Sequence, residues 1–439
     1  MDSNTLSDFR VGLYACFFRA GDALMNAVDA LLTETTARSF VELSLSPCFE
    51  RRWPSLYKAF ANADIDRAAL QRLFARFAPT PSGEQRLVLG VDASSIARPL
   101  SGTARDRTYV HASNLPEGSK PVVAGWQFSS LCVLPETPSS WTYVLDNQRI
   151  DSQQTQGQVA AGQLACLVPH LSVRPLLLGD GYYGSVTFLT ASQALACDKL
   201  LRFARNRVLY RPAPPRPAKP GPGAPRKDGA PFKCQHPSTH GVPDAAWEGT
   251  DANGQSVSVA CWHTLHFKDA RDLPVSVLRV IRQGARDTKR DPRVSWFVFV
   301  GQNLPPLEQI PALYARRYSM EHGYRVDKQD LLWEQVRLRT PEAFQHWTDV
   351  VACVRNQLGL SRETVVVRQP WERKERPVTP SQVRRAMRSI LGPLGTPARG
   401  CQVRGNAPGR PLGAIIEKAP RYKVVFKAAE KTKKVATKV

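Results

Sequence analysis

The spacing of apolar and polar residues changes character several times along the chain. Residues 1–84 predict short helices: FRVGLYACFFRAGDALMNAVDALL, then DIDRAALQRLFARF, in which Leu70, Leu73, Phe74 and Phe77 recur at helical spacing. Joined by tight turns, and with the basic RRW at 51–53, they suit either a helix-turn-helix-like DNA reader or a helical cap on the main domain. From residue 86 the pattern becomes that of strands. RLVLGVDA is an apolar run that ends at Asp92; AGWQFSSLCVL (124–134) and SWTYVLDNQ (140–148) follow, separated by Pro, Ser and Gly clusters. Residues 153–169 predict a helix, and RPLLLGDGYYG brings a second buried strand that ends at Asp180. This order predicts an α/β layer fold.

Residues 209–233 are rich in Pro, Gly and basic residues, which predicts a linker or long loop, with GAPRK as an electrostatic tether. SVSVACWHTLHF, PVSVLRVIR and VSWFVFVG then predict a β-rich insertion ending in a return strand. Thr340-Pro341-Glu342 caps a helix that presents Trp347, Val350, Val351, Val354 and Leu358 on one face. Thr379-Pro380 opens another. The tail from 417 carries Lys418, Arg421, Lys423, Lys427, Lys431, Lys433, Lys434 and Lys438 against Glu417 and Glu430, a pattern expected of a disordered, phosphate-seeking segment.

One predicted helix, Tyr314 to Lys328 (YARRYSMEHGYRVDK), has an unusual polar stripe. At ~100° per residue, Tyr314, Arg317, Glu321 and Lys328 fall within about 60° of one another. Leu313, Met320, Tyr324 and Leu331 form an apolar stripe immediately beside them. Solvated charge usually lies opposite a core; polar groups at its edge suit a cleft. Taken alone, the pattern is more simply that of i, i+4 salt bridges on a surface helix.

Composition narrows the partners. Lys and Arg total 60 against 38 acidic residues, a formal charge of +22 that points to nucleic acid. No apolar run of 18 or more residues predicts a membrane span, and MDSNTLSDFR has no secretory h-region, so a cytoplasmic, nucleoid-associated address is expected. The nine cysteines show no CxxC pair, which predicts reduced core residues rather than disulfides or a zinc ribbon. Cys234, His236 and His240 lack a recognised finger spacing, and Gly409-Arg410-Pro411 reads as a turn or a minor-groove contact.

Asp92, Asp180 and Glu321 come from three separate predicted elements. Three carboxylates that converge can hold two divalent ions and support in-line displacement at a phosphodiester. Each alone has a plainer reading: Asp180-Gly181 as a hairpin turn, Asp92 as a cap at a strand end. Together with Y-x2-R-x3-E-x6-K at Tyr314, Arg317, Glu321 and Lys328, the order Asp, Asp, Glu resembles the bacterial insertion-sequence DDE transposases of the Tyr-Arg-Glu-Lys signature group, the insertion-sequence-four-like superfamily. GVDAS and LLLGDGYYG are similar to that family's two upstream acidic motifs. The resemblance covers residues 86–360.

The resemblance implies an RNase H-like catalytic core, with Asp92 bridging two Mg2+ ions (Mn2+ substituting) and Asp180 and Glu321 each holding one. It also implies Tyr314, Arg317 and Lys328 along the DNA strand that is cut, a homodimer in the synaptic complex, and terminal repeats and target DNA as partners. The implied layout is a helical, possibly DNA-binding, N-terminal domain (1–84) and a catalytic core in two parts (85–205 and 293–365). A Pro-rich loop with a β-rich insertion (206–292) lies between them, and a basic C-terminal helix and flexible tail (366–439) follow. Some members stack a flipped base on an insertion Trp, for which Trp262 and Trp296 are candidates, although strand tryptophans are usually core. An inactive DNA-binding descendant and a nuclease that cuts without joining are the other readings.

Overall fold

The apolar runs from residue 86 onward build one mixed sheet, and the N-terminal helices close over it. A computed structural model describes residues 3–83, 85–112, 121–215, 224–251, 254–284, 287, 292–364, 368–372, 375–402, 412, 413, 415 and 418–427. Gly409-Arg410-Pro411, part of the Pro-rich loop, and the tail's Glu417, Glu430, Lys431, Lys433, Lys434 and Lys438 lie outside them.

The N-terminal part comprises α1 (Ser3–Ala15), β1 (Phe17–Arg19), α2 (Gly21–Thr33), α3 (Phe40–Leu43), α4 (Trp53–Asn62), β2 (Asp64–Ile65) and α5 (Arg67–Arg76). The central part follows as β3 (Val88–Ala97), β4 (Thr108–His111), β5 (Val122–Val133), β6 (Tyr143–Ile150), α6 (Gln156–Leu167), β7 (Leu176–Gly179), α7 (Val186–Ala191) and β8 (Asp198–Phe203). Next come β9 (Val208–Tyr210), β10 (Pro231–Lys233), β11 (Ala245–Thr250), β12 (Ser256–Phe267), β13 (Ala270–Arg282) and β14 (Val294–Val300). The last helices are α8 (Ile310–Ala315), α9 (Ser319–Arg325), α10 (Pro341–Leu360) and α11 (Pro380–Leu394).

At the centre, β3, β5 and β6 form an antiparallel meander, while β7 and β8 run parallel to β3 on its other side. Helices α6 and α7 make the crossovers into β7 and β8. This mixed α/β arrangement is consistent with an RNase H-like nuclease fold. Successive residues of β5 show the two covered faces: the Ser129 hydroxyl donates to Gln163 of α6, whereas the Phe128 ring packs on Phe344 of α10.

The β-rich insertion is continuous with this core. Strand β14 pairs with β13 on one side and β8 on the other, so β9 to β14 extend the central sheet, which among the described residues has twelve strands. Trp262 and Trp296 are 1% and 4% exposed and pack with Phe232 and His240. The base-stacking candidates are therefore core, because their strands lie under the 231–240 segment. His240, one of the residues weighed for zinc, stacks on Phe232 and contacts the Lys233 carbonyl through Nε2.

Helix α10 is buried along nearly its whole length and organises the other helices. Trp347 packs edge-on against Phe40 and Phe60, Asn356 bonds both the N–H and C=O of Val144 at the start of β6, and Arg10 of α1 reaches Asp29 and Gln357. The tail departs from its disordered expectation over residues 418–427: the Tyr422 N–H donates to the Gly102 carbonyl, the Val425 N–H to that of Arg107, and Phe426 packs on Tyr109. Unpaired backbone groups beside the edge strand β4 supply the partners that a free tail lacks.

Arg355 is buried and donates five hydrogen bonds. Nη1 donates to Asp327 Oδ2 (2.7 Å) and the Gly323 carbonyl (2.8 Å), Nε donates to the Thr142 carbonyl, and Nη2 donates to the Ser140 carbonyl and the Thr142 hydroxyl. A side chain at Gly323 would collide with this guanidinium. Arg355→Ala strands the Asp327 carboxylate in the interior. It is expected to lower unfolding free energy by about 3–5 kcal/mol, read from the midpoint of denaturant unfolding.

Candidate functional site

The parallel pairing of β3 with β7 ends at Val91 opposite Gly179, so Asp92 and Asp180 follow at the same level on adjacent strands. Asp180 terminates β7; its Oδ1 accepts from the Tyr182 N–H, and the chain turns into α7. The hairpin reading of Asp180-Gly181 is thus replaced by a strand-to-helix crossover, because both neighbours of β7 run parallel to it. Asp92, expected at a strand end, lies inside β3, which continues to Ala97 paired with β5 alone. What ends beside Asp92 is the neighbour: the short β7 leaves the β3 edge open from residue 92 onward.

The third carboxylate arrives on the segment after β14. The single α-helix expected from Tyr314 to Lys328 is α8, a 3-10 turn at Arg316–Tyr318, α9, and a π turn at Val326–Asp330 closed by the Leu331 N–H to the Val326 carbonyl. The π turn coincides with the Arg355–Asp327 bridge, and Leu332 then adopts a left-handed φ of 58°, reversing the chain. Met320 and Leu331 are buried, Tyr314, Arg317 and Lys328 partly so, and Glu321 is exposed. The polar stripe does lie along the edge of the buried face.

Arg317 links the acids. Its Nη1 is 3.5 Å from Asp92 Oδ2 and its Nη2 3.5 Å from Glu321 Oε1. Burial opposes its charge, but Tyr314, Asp92, Asp180 and Glu321 outweigh burial and hold its pKa above the ordinary value. Tyr314 is anchored, with its ring edge-on to Phe297 at 4.6 Å and its hydroxyl donating to the Gly179 carbonyl; burial pushes the phenol up to about 12. Lys328 Nζ donates to the Ser95 carbonyl (2.9 Å) on the open edge of β3 and lies 3.6 Å from Glu334.

Burial pushes the Asp92 carboxyl up to about 6; Arg317 opposes this, while Asp180 and Glu321 add to it. Two tyrosines flank the pair: Tyr183, which is fully buried and which the sequence reading passed over, and the partly buried Tyr324 of the apolar stripe; burial first, then Asp92, raises both phenols well above 10. The Tyr183 and Tyr324 hydroxyls approach Ser129 and Ser130 without completing well-formed hydrogen bonds, and Ser130 is the cross-strand partner of Asp92. The GDGYYG stretch carried the only sequence signal for Tyr183. Its neighbour Tyr182 is 45% exposed beside Asp180.

Three carboxylates are the hard oxygen donors that Mg2+ takes, and unpaired hydroxyls around Asp92 suit a hydrated ion. Chemically and in number the residues fit such a group. Their spacing does not yet close around one: among the described residues no three acidic, His or Cys side chains form a cation-holding cluster, because the Arg317 guanidinium lies between Asp92 and Glu321.

The raised carboxyl of Asp92 has a thermodynamic consequence. A folded-state pKa above the unfolded value means that the native protein holds the extra proton, so this contribution to stability is full below about pH 4 and is lost as pH rises through about 6. Asp92→Asn is expected to remove that loss, making the variant more stable than the parent by about 3 kcal/mol above pH 7 and similar to it near pH 4. Denaturant midpoints measured for both proteins across pH check this.

Comparison with known proteins places the chain. A cryo-EM structure of a piggyBac transposase synaptic complex with hairpin DNA is similar at a TM-score of 0.41 and 11% identity, over 85% of this chain and 71% of that one. No curated protein matches in sequence. A family model described as DDE superfamily endonuclease matches residues 12–262, which include Asp92 and Asp180 and end before the Tyr314–Lys328 segment. Members of that superfamily use divalent metal ions, generally Mg2+. With more than half of its residues matched and two acids side by side at the end of a parallel strand pair, the chain belongs to the DDE superfamily endonucleases.

Proposed function

We propose that this protein is a DNA transposase of the Tyr-Arg-Glu-Lys signature group, which cleaves DNA at insertion-sequence ends and transfers the freed 3′-hydroxyl into target DNA. The observation that carries the reading is the juxtaposition of Asp92 and Asp180 at the end of the β3–β7 pair, with Glu321 joined to Asp92 through Arg317. Asp92, Asp180 and Glu321 are the residues that would hold two Mg2+ ions, with Mn2+ as a substitute. Bound there, the ions supply Lewis-acid activation of the attacking oxygen and stabilisation of the leaving one.

The chain's own groups do the rest. Arg317 compensates the acids in the free protein and offers a planar fork to a phosphate once the acids are otherwise neutralised. Lys328 contributes a compact charge further along the β3 edge. Tyr314 braces Arg317 against β7 and presents its partly buried ring at the cleft wall. In this reading residues 1–84 and the basic C-terminal region contribute DNA contacts, and two copies act together on paired ends.

The test is cleavage and joining on labelled DNA carrying the element's own ends, with Mg2+ or Mn2+. The native protein is expected to nick the ends and form joined products, while Glu321→Gln binds the same DNA without nicking it. Nicking without joining would replace the transposase by a nuclease; binding without nicking in both proteins would leave a DNA-binding descendant. Independently, Mg2+ or Mn2+ is expected to stabilise the native protein at pH 8, by about 2.7 kcal/mol at a hundredfold excess over Kd. Thermal unfolding of Asp92→Asn should show no such rise.

A further inference from the structure

Seven residues beyond Asp92, β3 has ended and the chain folds into a cavity of about 580 Å3 that includes Ser101, Arg107, Arg337, Arg339 and Arg421 in its lining. Three separate parts of the chain build it: the 99–107 loop, the irregular stretch before α10, and the C-terminal tail. Arg107 is 5% exposed and spends its guanidinium on main-chain carbonyls, donating to Ala104, Arg98, Pro99 and, on the tail, Tyr422. Beside it Arg98, 1% exposed, donates to the carbonyls of Ala97, Glu334 and Val336 and so fastens the stretch carrying Arg337 and Arg339 to the end of β3.

The charge is unbalanced. Among the described residues neither Arg98 nor Arg107 meets a carboxylate in an ion pair, and no carboxylate lines the cavity. Burial, and then the neighbouring Arg337, pull the Arg98 guanidinium down to about 10, with Glu334 opposing. Two interior cations behind three exposed ones are costly unless an anion shares the field.

We propose that this cavity is a second phosphate-binding site, which grips the DNA backbone away from the carboxylates. The inference rests on the reading of the protein as a DNA enzyme. Its direction comes from β3: at ~3.3 Å per residue the cavity lies about 23 Å from Asp92, or roughly seven base-pair steps of duplex. Lys328 sits between them, bonded to Ser95 on the same open edge. Arg317, Lys328 and the Arg337–Arg339 stretch thus mark one basic track, and the tail, by bringing Arg421, completes its far end.

The test uses the full chain and a fluorescently labelled mixed-sequence duplex of about 30 base pairs, long enough to span the ~23 Å track, with affinity measured by anisotropy across a salt series. Arg337→Ala/Arg339→Ala and Arg421→Ala alter exposed side chains. The double variant is expected to bind about tenfold more weakly and to lose about 2 from the log–log salt slope, and Arg421→Ala about 1. Unchanged affinity and slope in both, with weaker binding by Lys328→Ala, would overturn the cavity assignment and leave the transposase reading intact. No duplex binding by the native protein would overturn both. If inorganic phosphate stabilises the native protein but not the double variant while their duplex affinities stay equal, the cavity takes free phosphate and the proposal fails.

Discussion

A single buried guanidinium sets the geometry on which the site depends. Arg355 of α10 ties Asp327, the Gly323 carbonyl and the 140–142 loop to one point, and so fixes where the 319–330 segment runs relative to the sheet. Glu321 lies two residues before Gly323 and reaches Asp92 through Arg317 only because that segment is held. Removing the bridge from the interior has a steep cost, since an ion with no partner in a low-dielectric core is far less stable than one in water. The adjacent π turn is the local backbone adjustment that accompanies it.

A second constraint is the short length of β7. Its pairing with β3 stops at Gly179, which exposes one edge of β3 from Asp92 to Ala97 without exposing the strand's other side, still paired to β5. An acid at the first unpaired level is mostly buried yet open in one direction. That combination accounts for its raised pKa together with the presence of an arginine beside it. The same open edge receives Lys328 and ends at the basic cavity, so one strand-length mismatch organises both features.

The insertion and the tail matter through the sheet rather than as appendages. Phe297 on β14 supports Tyr314, and β14 itself is the strand that joins the insertion to β8. Residues 418–427, basic and suited to solvent by composition, run beside β4 because Gly102 and Arg107 offer backbone partners there.

Much was legible in the sequence because it was local. Apolar runs marked β3, β5, β6 and β7; the Thr340 and Thr379 caps marked α10 and α11; and the spacing of Tyr314, Arg317, Glu321 and Lys328 marked a polar stripe beside a core face. Charge excess pointed to an acidic partner. What only the tertiary structure decided was non-local. Asp92 came out inside its strand because strand length depends on partners. The helix around Glu321 broke into 3-10, α and π turns, the π turn lying where Arg355, some thirty residues away, takes the Gly323 carbonyl and Asp327. Trp262 and Trp296 went to the core because another segment covers them, and four arginines from three distant parts of the chain share one cavity. Periodicity carries a residue's local face, but burial, pairing and counter-charge are properties of neighbours that only folding brings together.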